Sequence, residues 1–518
     1  IGGDAGAGVA NPAAGLIAAL GTCPASGTLS SSLTVNVDEV STVAMAYATS
    51  GYATTATAIS SSGTALAKVG IANAFSSVTN LADLSSGLAL STTPAGNGIV
   101  QQAKINTLAN ILASCINSTG SGSLQCTTLF ANAKNGSTTP TDTATAMINI
   151  AHNPGSNVTT LYGLQPAVAV AYMPDLAAEP NDFTIGIYYT GGGLYFPRGI
   201  AIDASGNVWV ANNSRDSLSE FTTLGAPISS DSGFTGGGLN GPHALSIDSA
   251  GNVWASNING TSVSEFNSSG NPLSGSSGFT GGGLNLPTWM AFDTTGNLWV
   301  ADNAALSELN SSGTAVSGAS GFTGGSIVNG KGLGIDFTGN VWVASSDSNT
   351  LAKFNSSGTA LSGAGYTGGG LSAPALLAVD GSGNVWLANY SNNSLSEFNS
   401  SGTPLSGSGG FTGGGLTNPV GVAVDGAGNI WATNFGLWGL SEFSSNGTAI
   451  SGTGGLGDPG LTTQPFFIAI DGSGNAWVSS SGAQNITEYV GIASPVVTPV
   501  VANRLSPYAV NSKVVNKP

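Results

Sequence analysis

From about residue 197 onward, apolar runs of four to six residues alternate with clusters of Gly, Asn, Asp and Ser, a rhythm of short strands and tight turns. PRGIAID, beginning at Pro197, reads as a first strand, DASGN as a turn, NVWVAN as a second strand and SLSEF as a third. Both faces of these strands are apolar or small, as a sheet packed between two neighbours requires; a sheet with one wet face would alternate with polar residues. The second-strand segment recurs in seven copies whose aspartates, Asp203, Asp248, Asp293, Asp336, Asp380, Asp425 and Asp471, lie 43 to 46 residues apart. Each copy carries its own Trp: Trp209, Trp254, Trp299, Trp342, Trp386, Trp431 and Trp477. A period near 45 with only strand-like content predicts propeller blades rather than a helical solenoid.

The third strand ends on an Asn-Ser-Ser-Gly turn at Asn267, Asn310, Asn355 and Asn399. A fourth strand is expected to run up to an aromatic-Thr-Gly-Gly element at Tyr189, Phe234, Phe279, Phe322, Tyr366 and Phe411. The first of these precedes the first repeat, and the seventh repeat, ending near Tyr489, has none of its own. The strand at 183–189 is therefore expected to complete the last blade, which removes an open edge and closes the ring over 183–490.

Residues 1–180 lack the repeat and read as an Ala-rich helical domain. Helices are expected from Asn11 and Pro12 to Gly21, from Asp38 and Glu39 to Ala48, along the face Ile105, Leu108, Leu112 and Cys115, and from Thr139 and Pro140 toward Ala151. Beyond the ring, 491–518 is rich in Val and Pro, which favours an extended tail, and carries Arg504, Lys513 and Lys517 with no acid. On an acidic body such a tail is expected to dock by charge, either on its own propeller or by strand addition to a neighbouring subunit, giving self-association into a filament.

The segment PxGIAxDxxGNxWVA, followed by a strand and an NxxG turn, resembles the NHL-repeat β-propellers over about 308 of 518 residues. The resemblance implies the fold class: mainly β, a seven-bladed NHL-like β-propeller with an N-terminal α-helical domain and an extended C-terminal tail. It implies little about activity, because that family holds binding modules, structural proteins and a few enzymes. Two departures stand out: Gly330 replaces the Pro of the other copies, and Lys353 replaces the Glu found at Glu220, Glu265, Glu308, Glu397, Glu442 and Glu488. The first 180 residues are weakly similar to segments preceding NHL repeats in secreted bacterial proteins, which often carry a further β domain upstream, so Ile1 is not expected to begin the precursor.

Composition narrows the function. With 10 Lys and Arg against 26 Asp and Glu, the chain has a formal charge of −16 and little with which to neutralise a phosphate backbone, so nucleic acid is not expected as a partner. No stretch is long and apolar enough for a transmembrane segment, and the N-terminus lacks the pattern of a signal peptide; an exported chain would already have lost it. Three cysteines, Cys23, Cys115 and Cys126, predict one local disulfide, Cys115 to Cys126, and a leftover thiol, with three buried reduced thiols as the alternative. An extracellular or cell-surface location follows from this reading.

Little catalytic chemistry is visible. The repeated aspartates read as structural turns, since DxxGN lacks the ligand alternation of a calcium loop. In NHL-like propellers ligands meet the face bearing the residue after the Pro position, here Arg198, His243, Thr288, Lys331, Ala375, Val420 and Phe466. The Gly-Pro-His segment at Gly241 faintly resembles virginiamycin-type lyases, but His152 and His243 are the only histidines, too few for a zinc site. His152 reads as a helix-end residue. Trp289, Tyr390, Phe435 and Trp438 stand outside the repeated Trp position and suit a sugar-stacking face. The leading expectation is a non-enzymatic secreted or cell-surface protein working in interaction or extracellular assembly, without metal or cofactor. A metal-dependent lyase or hydrolase and a glycan-binding module are the rivals.

Overall fold

The computed structural model describes residues 10–21, 28, 33–166 and 170–499. It is a β-propeller in which seven antiparallel sheets of at least three strands follow one another along the chain, from Pro197–Ile202, Val208–Asn212 and Ser217–Phe221 to Pro465–Ile470, Ala476–Ser480 and Asn485–Tyr489. Each sheet's first strand packs on the first strand of the next, and Pro465–Ile470 packs back on Pro197–Ile202, so the ring closes around a central channel.

One packing unit repeats. The seven repeat tryptophans are at most 1% exposed. Each pairs across the ladder with a small channel-facing residue: Ala201, Ser246, Ala291, Gly334, Ala378, Ala423 or Ala469. In six of the seven an aromatic ring covers the Trp, as Phe234 covers Trp209 at 5.4 Å between centroids and Phe279 covers Trp254 at 5.2 Å, while Leu456 takes that place by Trp431. That aromatic also lies over the turn glycine of the next sheet. At Gly270, with φ +74°, a Cβ would stand 2.2 Å from the Phe234 ring, so both the backbone and the space demand glycine.

Closure uses the same unit. Gly186–Tyr189 pairs antiparallel with Asn485–Tyr489, and Tyr189 covers Trp477 at 5.6 Å. Gly98–Val100, from the N-terminal part of the chain, adds a further strand outside Gly186–Tyr189, so the two parts share one sheet.

The expected fourth strand forms a ladder at Gly186–Tyr189 and Phe279–Thr280 and is elsewhere reduced, among the described residues, to isolated bridges such as Phe221 to Pro227 and Leu218 to Phe234. A serine takes up part of the bonding along this edge. The Ser229 hydroxyl accepts the Glu220 N–H at 3.0 Å and donates to the Gly192 carbonyl at 2.8 Å, replacing a ladder carbonyl, and Ser274, Ser317, Ser406 and Ser451 repeat the arrangement.

Four of the seven second strands end on buried asparagines, Asn212, Asn257, Asn389 and Asn434, and two on Ser345 and Ser480. Asn212, for example, donates to Ser219 at 2.8 Å and accepts from the Tyr195 N–H. In the third sheet Asp302, fully buried, takes this place, accepting from the Asn285 N–H and the Ser307 hydroxyl. Burial pushes its carboxyl up to about 7. A carboxyl raised on folding contributes stability that is fully present below its unfolded pKa of about 3.9 and is lost as pH rises through the folded value. Asp302→Asn therefore raises the melting temperature by about 5 °C at pH 8 and has little effect at pH 4. Calorimetry at the two pH values checks this, and an equal shift at both would contradict it.

Six helices lie between residues 39 and 162: Glu39–Ala48, Ala65–Leu81, Gln102–Ile116, Leu124–Asn132, Thr143–His152 and Val158–Tyr162. Asp38 caps the first through a capping box with Ser41. The helix expected from Asn11 to Gly21 does not form. The Asn11 side chain instead donates to the Cys115 and Ile116 carbonyls at the end of another helix, and the Gly15 and Ile17 N–H groups are taken by the Thr143 and Thr42 hydroxyls. The helix expected from Thr139 starts at Thr143, because Asp142 is its cap. Cys115 and Cys126 form a disulfide joining two helices, while Cys23 lies outside the described residues. No helix among the described residues is long and apolar enough to cross a membrane.

Of the two dockings expected for the tail, the described part makes the one on its own propeller, as a strap. The Ala493 N–H donates to the Gly474 carbonyl, Ser494 exchanges bonds with Gly426 and Asp425, the Val496 N–H donates to the Asp471 carbonyl, and the Thr498 hydroxyl donates to the Asp203 carbonyl. The strap thus spans the sixth, seventh and first repeats at their Asp turns. Residues 500–518, with Arg504, Lys513 and Lys517, lie outside the described residues.

Candidate functional site at the channel mouth

At the strapped end each repeat aspartate is bonded within its own turn. Asp203 Oδ1 accepts the N–H groups of Ser205 and Asn207, both at 2.8 Å, and the remaining six aspartates accept the equivalent pair. In six copies the Trp indole N–H donates to the other carboxylate oxygen. The Asn of GNxW then reaches the third-strand Glu, as Asn475 reaches Glu488 at 2.7 Å and Asn384 reaches Glu397 at 2.8 Å. Burial first, and then the neighbouring aspartate, raises Glu442 to about 8 and Glu220 and Glu397 to about 7. Lys353 is explained here: its ammonium lies 4.6 Å from the Trp342 ring centre and 4.0 Å from Asp336, whose carboxyl is held low, despite burial, by Thr338, Asn340 and Trp342.

The opposite end gathers charged and aromatic side chains. There the ring brings together Arg198, His243, Lys331 and Phe466, each the second residue of its sheet's first strand. The Arg198 guanidinium lies 4.1 Å from the Phe466 ring centre and 4.6 Å from that of Phe196. His243 meets Phe466 edge-on at 5.5 Å and Trp289 at 6.4 Å, and its Nδ1 lies 3.2 Å from the Thr288 carbonyl oxygen. A carbonyl only accepts, so Nδ1 carries the proton and Nε2 the lone pair. Burial, and then the Arg198 charge, lowers His243 to about 4, so it is neutral at physiological pH. Burial lowers Arg198 to about 10 and also lowers Lys331, with Asp347 opposing and Arg198 reinforcing the latter shift.

Below these groups the channel is stoppered. Trp289 of the third sheet and Phe467 of the seventh, which are not neighbours in the ring, meet at 4.7 Å with their rings tilted by 49°, and Val420, Leu376, Phe435 and Phe466 pack into the same cluster. Beneath lies a cavity of about 240 Å³ lined by the small residues Ala201, Ser246, Ala291, Ala378, Ala423 and Ala469 with their aliphatic neighbours, and bordered at the far end by Val496, Thr498 and Pro499 of the strap.

Of the aromatics expected to form a sugar face, Trp289 belongs to the stopper. Tyr390, 39% exposed, and Phe435 pair at 6.3 Å. Trp438 joins neither ring among the described residues, and its buried indole N–H has no partner there, so the four do not form one platform. Thr288 is turned inward, its hydroxyl donating to Gly330. Phe196 and Phe467 were not anticipated; the only sequence signal for the latter was an aromatic doublet where other repeats carry at most one bulky residue.

No protein-family model and no curated protein matches the chain. Among solved structures it is similar to a streptogramin B lyase at 15% identity, covering 58% of this chain and 93% of that one with a TM-score of 0.45. It is also similar to virginiamycin B lyase from Staphylococcus aureus with quinupristin at 14% identity, covering 58% and 97% with a TM-score of 0.48. A third similarity is to the extracellular domain of a putative hybrid two-component system from B. thetaiotaomicron, at 13% identity, 64% and 49% coverage and a TM-score of 0.44.

Proposed function

We propose that this chain is a non-catalytic, extracellular or cell-surface interaction protein: a seven-bladed NHL-like propeller, preceded by a helical domain, that receives its ligand at the channel mouth. The observation that carries this reading is where the charge goes. Residues 183–490 contain four basic side chains, Arg198, Arg215, Lys331 and Lys353. Lys353 is committed to Asp336, and Arg215 to the Asp231 carbonyl and the Tyr195 ring. Arg198 and Lys331 remain, and they stand at one mouth with a neutral histidine. The Cys115–Cys126 disulfide supports an oxidising location.

The rival lyase or hydrolase needs a set of metal ligands or an acid-base pair. Among the described residues no three His, Cys, Asp or Glu side chains converge in a way that would hold a metal ion, and the residues around His243 are Arg198, Lys331, Thr288 and aromatics. Purified protein offered lactone and cyclic depsipeptide substrates is expected to show no turnover above background, with elemental analysis run alongside. Turnover that disappears in His243→Ala, together with stoichiometric metal, would overturn the proposal.

A further inference from the structure

Arg198 is half-buried and held by two aromatic rings. Its guanidinium carbon lies 4.1 Å from the Phe466 ring centre and 4.6 Å from that of Phe196. Yet among the described residues no carboxylate or carbonyl meets any of its five N–H groups, and Nε is shielded from water without an acceptor. Nε is out of reach of a ligand oxygen as it is of water, so the two Nη groups, which are not shielded in this way, are the donors left for a ligand. Side by side on one planar group, they suit a planar, two-oxygen acceptor, which is the geometry of a carboxylate.

The neighbours refine the ligand. Lys331 stands close enough for its charge to act on both Arg198 and His243, which favours an anion further. His243 does the opposite. With Nδ1–H given to Thr288, its Nε2 is a hydrogen-bond acceptor, which a bare carboxylate cannot satisfy and a hydroxyl can. The Phe466 and Trp289 rings flank the histidine and offer an apolar wall to C–H groups. We infer that the channel mouth binds a hydroxy-carboxylate whose carboxylate lies on Arg198 and Lys331 and whose hydroxyl donates to His243 Nε2. Outside a cell, uronic acids carry this chemistry, either as free sugars or as residues of acidic polysaccharides. The inference rests on the reading of the mouth as a ligand site and specifies it.

The test is calorimetric titration of the full chain with glucuronate, galacturonate and their oligomers, with glucose, acetate and inorganic phosphate as controls. Uronates are expected to bind and glucose not to; tighter binding of oligomers identifies the polysaccharide as the source, and equal binding the free sugar acid. Arg198→Ala and Arg198→Lys should each weaken uronate by about tenfold or more, because lysine restores charge but not the planar fork. His243→Ala should weaken uronate and leave any weak acetate binding unchanged. Thermal melts control for folding, since losing an unsatisfied donor should not lower stability. Acetate or phosphate binding as tightly as uronate, through Arg198, would overturn the hydroxy-carboxylate while leaving the mouth a ligand site. Uronate binding indifferent to Arg198 and Lys331 would overturn both.

Discussion

Deleting residues 183–190 lowers the melting temperature by about 10 °C or more, the largest loss expected from any short deletion in this chain. The segment supplies Gly186–Tyr189, which forms a four-residue ladder with Asn485–Tyr489 and is itself paired on its outer side with Gly98–Val100. Without it the last sheet has a bare edge, Trp477 loses the ring stacked on it, and Glu488 loses the Tyr189 hydroxyl, which donates to it at 2.7 Å. Glu488 is fully buried and already pushed up to about 8 by that burial, so the remaining carboxylate is poorly supported. Differential scanning calorimetry of the deleted chain reads the effect. A melting point within a degree or two of the parent would mean that this strand does not hold the ring closed.

Lys104→Met destabilises the molecule by about 3–5 kcal/mol. The lysine is 1% exposed, its ammonium 2.5 Å from Asp458 and 4.0 Å from Asp182, and it donates to the Thr184 carbonyl at 2.8 Å. It lies on the helix Gln102–Ile116, whereas Asp458 belongs to the loop before the last repeat, so the charge clasps the helices to the ring. Asp182 accepts from the Gly457 and Thr184 N–H groups, and burial already raises its carboxyl while Lys104 pulls it down. Removing the lysine raises it further. The sign follows: a carboxyl raised in the folded state costs stability as pH rises, so the variant should lose most at pH 8 and recover toward pH 4. Melting curves across that range, with Lys104→Met/Asp182→Asn as the rescuing pair, decide it; a loss independent of pH and not relieved by the second change would show that packing and not charge is at stake.

Legibility followed the locality of each cause. The Asp turn and the repeat Trp were readable because each role falls to one residue type at a fixed spacing, and Tyr189 ahead of the first repeat announced the closure that pairs it with Ile486; that its ring covers the Trp is visible only in the fold. The hydroxyl that bonds the third strand was not readable, since Ser229 sits among other serines and only the approach of Gly192 distinguishes it. Asn11 looked like a helix cap because its use, two carbonyls at residues 115 and 116, lies far along the chain. Ala65–Leu81 was missed because it packs through small residues; at Gly70 a Cβ would collide with the Gly472 carbonyl. At the mouth, Arg198, His243 and Lys331 could be picked out as one position per repeat. The stopper could not, because it depends on Phe467, which sits where the first-strand register shifts between Pro465 and Ile468.

The stopper and the strap also decide what kind of polymer the mouth can accept. Trp289 packed against Phe467 obstructs the channel above the cavity, and Val496, Thr498 and Pro499 border it below. A long chain cannot be threaded through such a ring. Whatever enters must present a terminus or a side branch, and must leave by the way it came. If the mouth holds its ligand as proposed, the propeller is in this respect a blind socket, entered and left from one side alone.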